Sequence, residues 1–254
     1  MLKDVIRCFL EEIKVYDIPG LTKTRFGYHG DGGYIVLGEL CEKLPMLYSF
    51  GVGKDVSFER VFAGLMECPI HLYDHTIEMP TESNPNFVFH CVKASPECFR
   101  DNSIEFNSML KMDIEWDEWE FFRNLRETDM RKFSQIIMEF HIVHAEPRSG
   151  LTSYFHEFYQ HAFDEINEQL FSFYANVLKK VTSFFYCFHI HANNSLPLIS
   201  VGGKSFPPLI EMSFVREDLA GEVKPTEQSF PIIGLDFPNK GGRPDLNLGD
   251  IFEK

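Results

Sequence analysis

Short apolar runs alternate with amphipathic stretches along the chain, which reads as strands separated by helices. In residues 1–15, Val5, Ile6, Phe9, Leu10 and Ile13 recur at helical spacing, with Asp4, Glu11 and Glu12 on the polar side. This predicts an amphipathic helix, broken by Pro19-Gly20. A glycine-rich loop over residues 25–33 then runs into a strand ending at Leu37. Strands are predicted over 47–50, 70–73, 86–94, 108–113 and 135–141. Helices are predicted over 57–67 and 117–125, and a longer one over about 151–180 leaves room for an interruption. Residues 184–191 and 209–215 close the pattern as two consecutive strands.

A helical segment between each pair of core strands except the last predicts a doubly wound, mainly parallel α/β sheet. The last two strands flank Gly202-Gly203 and Pro207-Pro208, which predicts an antiparallel hairpin at one edge. A single domain over 1–254 accommodates all of this: an N-terminal helix and lead-in (1–24), a core (25–216) and an extension (217–254). Prolines and glycines in the extension predict an extended wrap or a flexible end.

Composition narrows the function. The net charge of −14 repels polyanions, which argues against nucleic acid as a partner. The start of the chain reads as an amphipathic helix and not a signal peptide, and the apolar stretch 181–190 is far too short to span a membrane. Six cysteines lie far apart without a CxxC pair, as expected of reduced, mostly buried thiols in a cytoplasmic protein rather than a zinc site. The 26 phenylalanines are many for 254 residues.

Open parallel sheets bind ligands at the carboxyl ends of their strands. Four predicted strands end in chemistry: Gly51-Val52-Gly53, Asp74, Asp113 with Glu115, and Glu139 with His141. A glycine bend lets a cofactor approach the backbone, and Asp74, on the next strand, is placed to accept hydrogen bonds from ribose hydroxyls. No third glycine follows Gly53, which disfavours a dinucleotide, and no GxxxxGK[ST] run is present. S-adenosylmethionine, with an adenosine but no pyrophosphate, fits these features.

Several segments together resemble FkbM-like and related class I methyltransferases. They are Arg25-x-Gly27, Asp31-Gly32-Gly33-Tyr34, the run from Tyr48 to Glu59, Asp74-x-Thr76, the run from Leu110 to Glu115, the run from Gln135 to His141, and His189-x-His191-x-Asn193-Asn194. The resemblance covers about residues 25–216. It implies a Rossmann-like, seven-stranded, mainly parallel sheet with a reversed C-terminal hairpin, and O-methylation, often of sugars. By that likeness Gly51 and Gly53 lie along the methionine moiety, Asp74 holds the ribose, and Lys93, Ala94 and Ser95 flank the adenine. Arg25, Asp31 and Gly32 would cap the charged end. The family commonly has Gly-Ala-Glu after its Asp-x-Glu, whereas this chain has Trp116-Asp117-Glu118-Trp119. Trp116 would narrow the acceptor pocket or stack on a sugar face; alternatively, Trp116 and Trp119 pack one helix face.

Methylating an alcohol requires alignment with the donor and removal of a proton. Candidate bases are Asp113, first, then His141, His189 and His191, each histidine fitting a structural role equally well. Asp113 would also face the cofactor. Glu115, Glu139, Asn193 and Asn194 are candidate acceptor ligands, although Glu115 equally suits a helix cap and the asparagines a turn. Carboxylates and imidazoles at these tips also suit a divalent Mg²⁺ or Mn²⁺ ion. The expected function is therefore an S-adenosylmethionine-dependent O-methyltransferase acting on a small-molecule or oligosaccharide acceptor, at a hydroxyl of a sugar or glycan. The alternatives are a methyltransferase for a lipid or polyketide, or a catalytically silent relative that binds cofactor or partner.

Overall fold

The computed structural model describes residues 1–99, 104–142 and 153–249, with side chains of the long helix described from residue 163. The main sheet comprises β1 (Leu47–Phe50), β2 (Ile70–Tyr73), β3 (Phe87–His90), β4 (Ser108–Met112), β5 (Phe133–His141), β6 (Phe185–Ala192) and β7 (Leu209–Arg216). Their order is β3-β2-β1-β4-β5-β7-β6. The pairs from β3 through β5 are parallel, and β7 runs antiparallel to both β5 and β6. This is the Rossmann-like class I methyltransferase fold with its antiparallel C-terminal hairpin. The strand order reverses between β1 and β4, the position at which such sheets open a ligand crevice.

Helix α1 (Leu2–Glu12) precedes the sheet, and α2 (Ser57–Leu65) links β1 to β2. Helix α3 (Glu118–Asn124) lies between β4 and β5, and α4 (Ser153–Thr182) between β5 and β6. Helix α4 is continuous over these residues, without the interruption the sequence allowed; its expected first residues, 151 and 152, lie outside the described ones.

Two expectations about the connections are corrected. The β2–β3 crossover, residues 74–86, holds only turns and bends, and β3–β4 carries only the 3₁₀ turn Pro96–Phe99 among its described residues. Strand β3 stops at His90 instead of residue 94, because the chain turns back there through a Val92 N–H bond to the His90 carbonyl. At the sheet edge, a covering helix has only one neighbouring strand to bury against. The link between β6 and β7 also adds a small hairpin, Ile199–Val201 with Lys204–Phe206, turning at Gly202-Gly203.

Apolar clusters cover both sheet faces. Phe9 of α1 meets Phe171 of α4 edge-on at 5.3 Å, and Trp119 stacks on Phe140 at 4.1 Å. On the other face Phe26 meets Phe62 of α2 at 5.2 Å. At least twelve phenylalanines are fully buried, which accounts for their abundance; burying each contributes about 2–3 kcal/mol. The glycine-rich segment is a hairpin, Lys23–Phe26 paired with Tyr34–Leu37. Buried Gln135 of β5 fixes it to the sheet by accepting from Leu37 N at 2.7 Å and donating to Leu37 O at 3.2 Å.

The extension is ordered over its described part. Lys224–Pro225 pairs with Tyr16–Asp17, and the following residues cross the ends of β6 and β7 as a strap. All six cysteines are free thiols, but only Cys41, Cys68 and Cys187 are buried, fewer than expected. Among the described residues, no helix is long and apolar enough to cross a membrane.

Candidate active site

Register sets the carboxyl ends of three strands level: Phe50 lies opposite Tyr73 on one side and Met112 on the other. The ladder continues past them, Gly51 N to Tyr73 O at 2.9 Å and Asp113 N to Phe50 O at 3.0 Å. At this reversal point a cavity of about 480 Å³ opens. Of the expected cofactor residues, Asp31, Gly32, Gly51, Gly53, Asp74, Lys93, Ala94 and Asp113 line it, as does Glu115.

The two glycines of the bend serve different ends. Gly51 has φ +73°, and a Cβ there would lie 1.5 Å from the Asp113 carbonyl oxygen. Its bareness lets β1 and β4 approach. Gly53, at φ +56°, has open space where a Cβ would sit and donates its N–H to Asp74 Oδ2 at 2.8 Å. Asp74 is buried, and its Oδ1 accepts from both the amide and the hydroxyl of Thr76 at 2.7 Å. Burial pushes this carboxyl up, yet the Thr76 hydroxyl and the Gly53 and Thr76 amides outweigh it, so its pKa falls below the usual value. Asp74 is a fixed anion.

Asp113 is held by Tyr34, whose hydroxyl donates to Oδ2 at 3.1 Å. Burial, then the charges of Asp113 and Glu139, raise the Tyr34 pKa well above normal, so it remains a donor. Buried Lys111 donates to the Gly51 carbonyl at 3.1 Å and lies 5.3 Å from the centre of the Tyr34 ring. Neither Tyr34 nor Lys111 was singled out from sequence. The signal existed: period two in a strand puts Lys111 and Asp113 on one side, and Tyr34 ends the Asp-Gly-Gly-Tyr segment.

Glu139 and His141 of β5 join Asp113, each offering a ligand atom within 4.8 Å of the others. Glu118, fully buried at the start of α3, accepts from Ile114 N at 2.9 Å and lies 3.0 Å from His141 Nδ1. The Trp119 indole donates to the His141 carbonyl at 2.7 Å and fixes the helix start against β5. Burial depresses the His141 pKa, but Glu118, Asp113 and Glu115 together raise it above normal. Glu139 is raised well above the carboxylate range, first by burial and then by Asp113 and Glu211. Its Oε1 accepts from Asn193 at 2.7 Å.

Glu115 and Trp116 take φ values of +53° and +84°, consecutive left-handed residues without a glycine between them. Such strain costs roughly 1–2 kcal/mol per residue. It lifts Trp116 out of the helix, so the shared face expected for Trp116 and Trp119 does not form. Trp119 is core, whereas Trp116 is 45% exposed with its ring 5.0 Å from that of His141.

Other expected site residues have different partners. Arg25 does not line the cavity; its guanidinium donates to the carbonyls of Tyr28, Gly30 and Leu235. Ser95 accepts from Glu97 N at the 3₁₀ turn and also lies off the cavity wall. His189 Nε2 meets Asp236 at 2.8 Å, and His191 lies between Glu211 and Asp245, each at 3.0 Å. Asn194 binds the strap backbone at Lys240, Arg243 and Pro244. The structure therefore brings Asp113, Glu139 and His141 together, and ties His189, His191 and Asn194 to the strap.

That strap has a pH signature. Burial lowers the His191 pKa, but Glu211 and Asp245 outweigh it and push it up to about 10, from 6.5. A raised folded-state pKa gives stabilisation that is complete below about 6.5 and lost as pH rises through about 10. The His191 ring resonance is expected to titrate near 10 in an NMR pH series, and Asp245→Asn to move that titration downward. Titration near 6.5 in both proteins would disprove the buried pairing.

No family model and no curated protein matches the sequence. Similar solved structures include the fibrillarin/Nop5p complex, 11% identical, covering 68% of this chain and 72% of that one at a TM-score of 0.37. An rRNA methylase from Streptococcus thermophilus is 8% identical over 70% of this chain and 90% of its own, at 0.36. Precorrin-6y C5,15-methyltransferase from Geobacter metallireducens is 11% identical over 71% and 87%, at 0.32. All three are distant, and the fold assignment rests on the sheet order itself.

Proposed function

We propose that this protein is an S-adenosylmethionine-dependent methyltransferase that methylates a hydroxyl of a sugar or glycan. One observation carries the reading: a single cavity joins the Gly51–Gly53 bend, the fixed anion Asp74 and the Tyr34-held carboxylate Asp113. The methionine moiety lies along the bend, Asp74 accepts from a ribose hydroxyl through the acceptor site its Gly53 and Thr76 bonds leave, and Lys93 and Ala94 flank the adenine. Asp31 and Gly32 close over the charged end. Six carboxylates (Asp31, Asp55, Asp74, Asp113, Glu115, Asp117) against Lys54, Lys93 and Lys111 line the cavity. That balance favours a cationic sulfonium and disfavours a polyanionic acceptor.

The acceptor takes the side of Asp113, Glu115 and Trp116. As its oxygen attacks the methyl group, the proton passes to the free oxygen of Asp113, and Trp116 offers a ring face to the apolar side of a sugar. The FkbM-like motifs support an O-methyl product, and the six free thiols support an intracellular site of action.

Calorimetry with S-adenosylhomocysteine tests the reading, with acceptors then screened by its release, beginning with deoxysugars and oligosaccharides. The Gly53 and Thr76 bonds leave about one acceptor site on Asp74, and a hydroxyl bond to a carboxylate is worth about 1.5–3 kcal/mol. Asp74→Ala should therefore weaken S-adenosylhomocysteine about 10- to 100-fold. Absence of binding by the unaltered protein would remove the methyl-donor reading.

A further inference from the structure

Asp113, Glu139 and His141 share an arrangement that proton transfer alone does not require. They stand on adjacent parallel strand ends, aligned by the pairing of Met112 with Met138. Each is oriented by a residue outside the trio: Tyr34 binds Asp113 Oδ2, Asn193 binds Glu139 Oε1, and Glu118 engages His141 Nδ1. Among the described residues, each keeps one potential ligand atom without a hydrogen bond, and these groups lie within 4.8 Å of one another.

The histidine is the most telling of the three. Its side chain is 97% buried, complementing 3% exposure. With Glu118 Oε1 3.0 Å from Nδ1 and accepting a proton held there, the neutral ring carries its lone pair on Nε2, the nitrogen on the opposite side. The nearest group to Nε2 is the exposed Glu115 carboxylate at 3.3 Å, without hydrogen-bond geometry. A carboxylate behind a histidine is the usual support for a metal-ligating imidazole, setting its tautomer and ring orientation. Glu118 Oε2 is itself buried with no hydrogen-bond partner, so the Ile114 amide and the His141 ring are the neighbours that fix this carboxyl group.

We propose that Asp113, Glu139 and His141 bind a divalent transition-metal ion, with Mn²⁺ preferred over Mg²⁺, behind the cavity wall at Asp113, the one member of the trio that lines the cavity. Two carboxylates suit hard ions such as Mg²⁺, Ca²⁺ and Mn²⁺, whereas an imidazole favours transition metals; Mn²⁺ satisfies both. Mg²⁺ prefers an oxygen shell rich in retained water. Such an ion would occupy the Asp113 oxygen otherwise free to take the proton, and would instead acidify an acceptor hydroxyl through its Lewis acidity. That role rests on the methyltransferase reading, although the ion site does not.

The test is an electron paramagnetic resonance titration of Mn²⁺ into the full chain, with and without S-adenosylhomocysteine. One bound Mn²⁺ per chain is expected, with ¹⁴N modulation from His141 in the pulsed spectrum. Mg²⁺ should compete at least about 10-fold more weakly, and Glu118→Gln should lower Mn²⁺ affinity about 10–100-fold. Glu139→Gln and His141→Gln should abolish uptake, with circular dichroism verifying their folds. No loss of free Mn²⁺ signal, no nitrogen modulation, or equal competition by Mg²⁺ would overturn the proposal; the first two need no variant. S-Adenosylhomocysteine binding without Mn²⁺ uptake would overturn the ion site alone. Mn²⁺ uptake without nucleoside binding would overturn the methyl-donor reading alone.

Discussion

Gly51→Ala is expected to destabilise the fold by about 2–5 kcal/mol and to abolish S-adenosylhomocysteine binding. The new methyl would sit 1.5 Å from the Asp113 carbonyl oxygen and 2.6 Å from its carbonyl carbon. Both atoms belong to backbone, so no side-chain rotation relieves the overlap. The strands would have to part where Asp113 N bonds Phe50 O at 3.0 Å. Overpacking costs about 1–3 kcal/mol, and a non-glycine residue at φ +73° adds roughly 1–2 kcal/mol. Urea denaturation and calorimetry read the two consequences separately.

Gly53→Ala is the control. Its Cβ meets nothing within 4 Å, so only the left-handed backbone at φ +56° is strained, by roughly 1–2 kcal/mol. The protein should stay folded and retain the Gly53 bond to Asp74. Its methyl would nevertheless project where the cofactor approaches, so affinity should fall. Equal stability of the two variants would refute the separate roles assigned to the glycines.

These two residues also show what one chain of letters conveys. Apolar runs located the core strands because burial imposes a period along each one, and the positions of Gly51, Asp74 and Asp113 followed from strand ends. The periodicity could not report a partner remote in sequence. Tyr34 reaches Asp113 across 79 residues, and Gln135 reaches Leu37 across 98. For the strap, the prolines and glycines left a wrap and a flexible end open, because polar contacts at Asp236, Asn239 and Asp245 and the separate apolar anchors Phe230 and Leu248 hold it, with no repeating apolar face. Trp116 and Trp119 misled because their spacing of three implies a helix face, yet α3 begins only at Glu118. Two left-handed residues turn Trp116 out toward solvent beside His141.

Asp113→Asn is expected to lower the rate of methyl transfer by about 100- to 10,000-fold while leaving S-adenosylhomocysteine affinity within a few-fold. The amide matches the carboxylate in shape and can still accept from Tyr34, which preserves the cavity wall. It cannot take up the proton released as the acceptor oxygen attacks. The loss corresponds to roughly 3–5 kcal/mol in the barrier. Tyr34→Phe separates orientation from charge: Asp113 keeps its carboxylate but loses the 3.1 Å bond that aims it. A smaller fall in turnover is expected there, again with cofactor affinity maintained. Measured with the acceptor identified by the screen, unchanged turnover in Asp113→Asn would take proton removal away from Asp113. His141 would then be the residue to examine, because its ring is held by Glu118 within reach of Asp113.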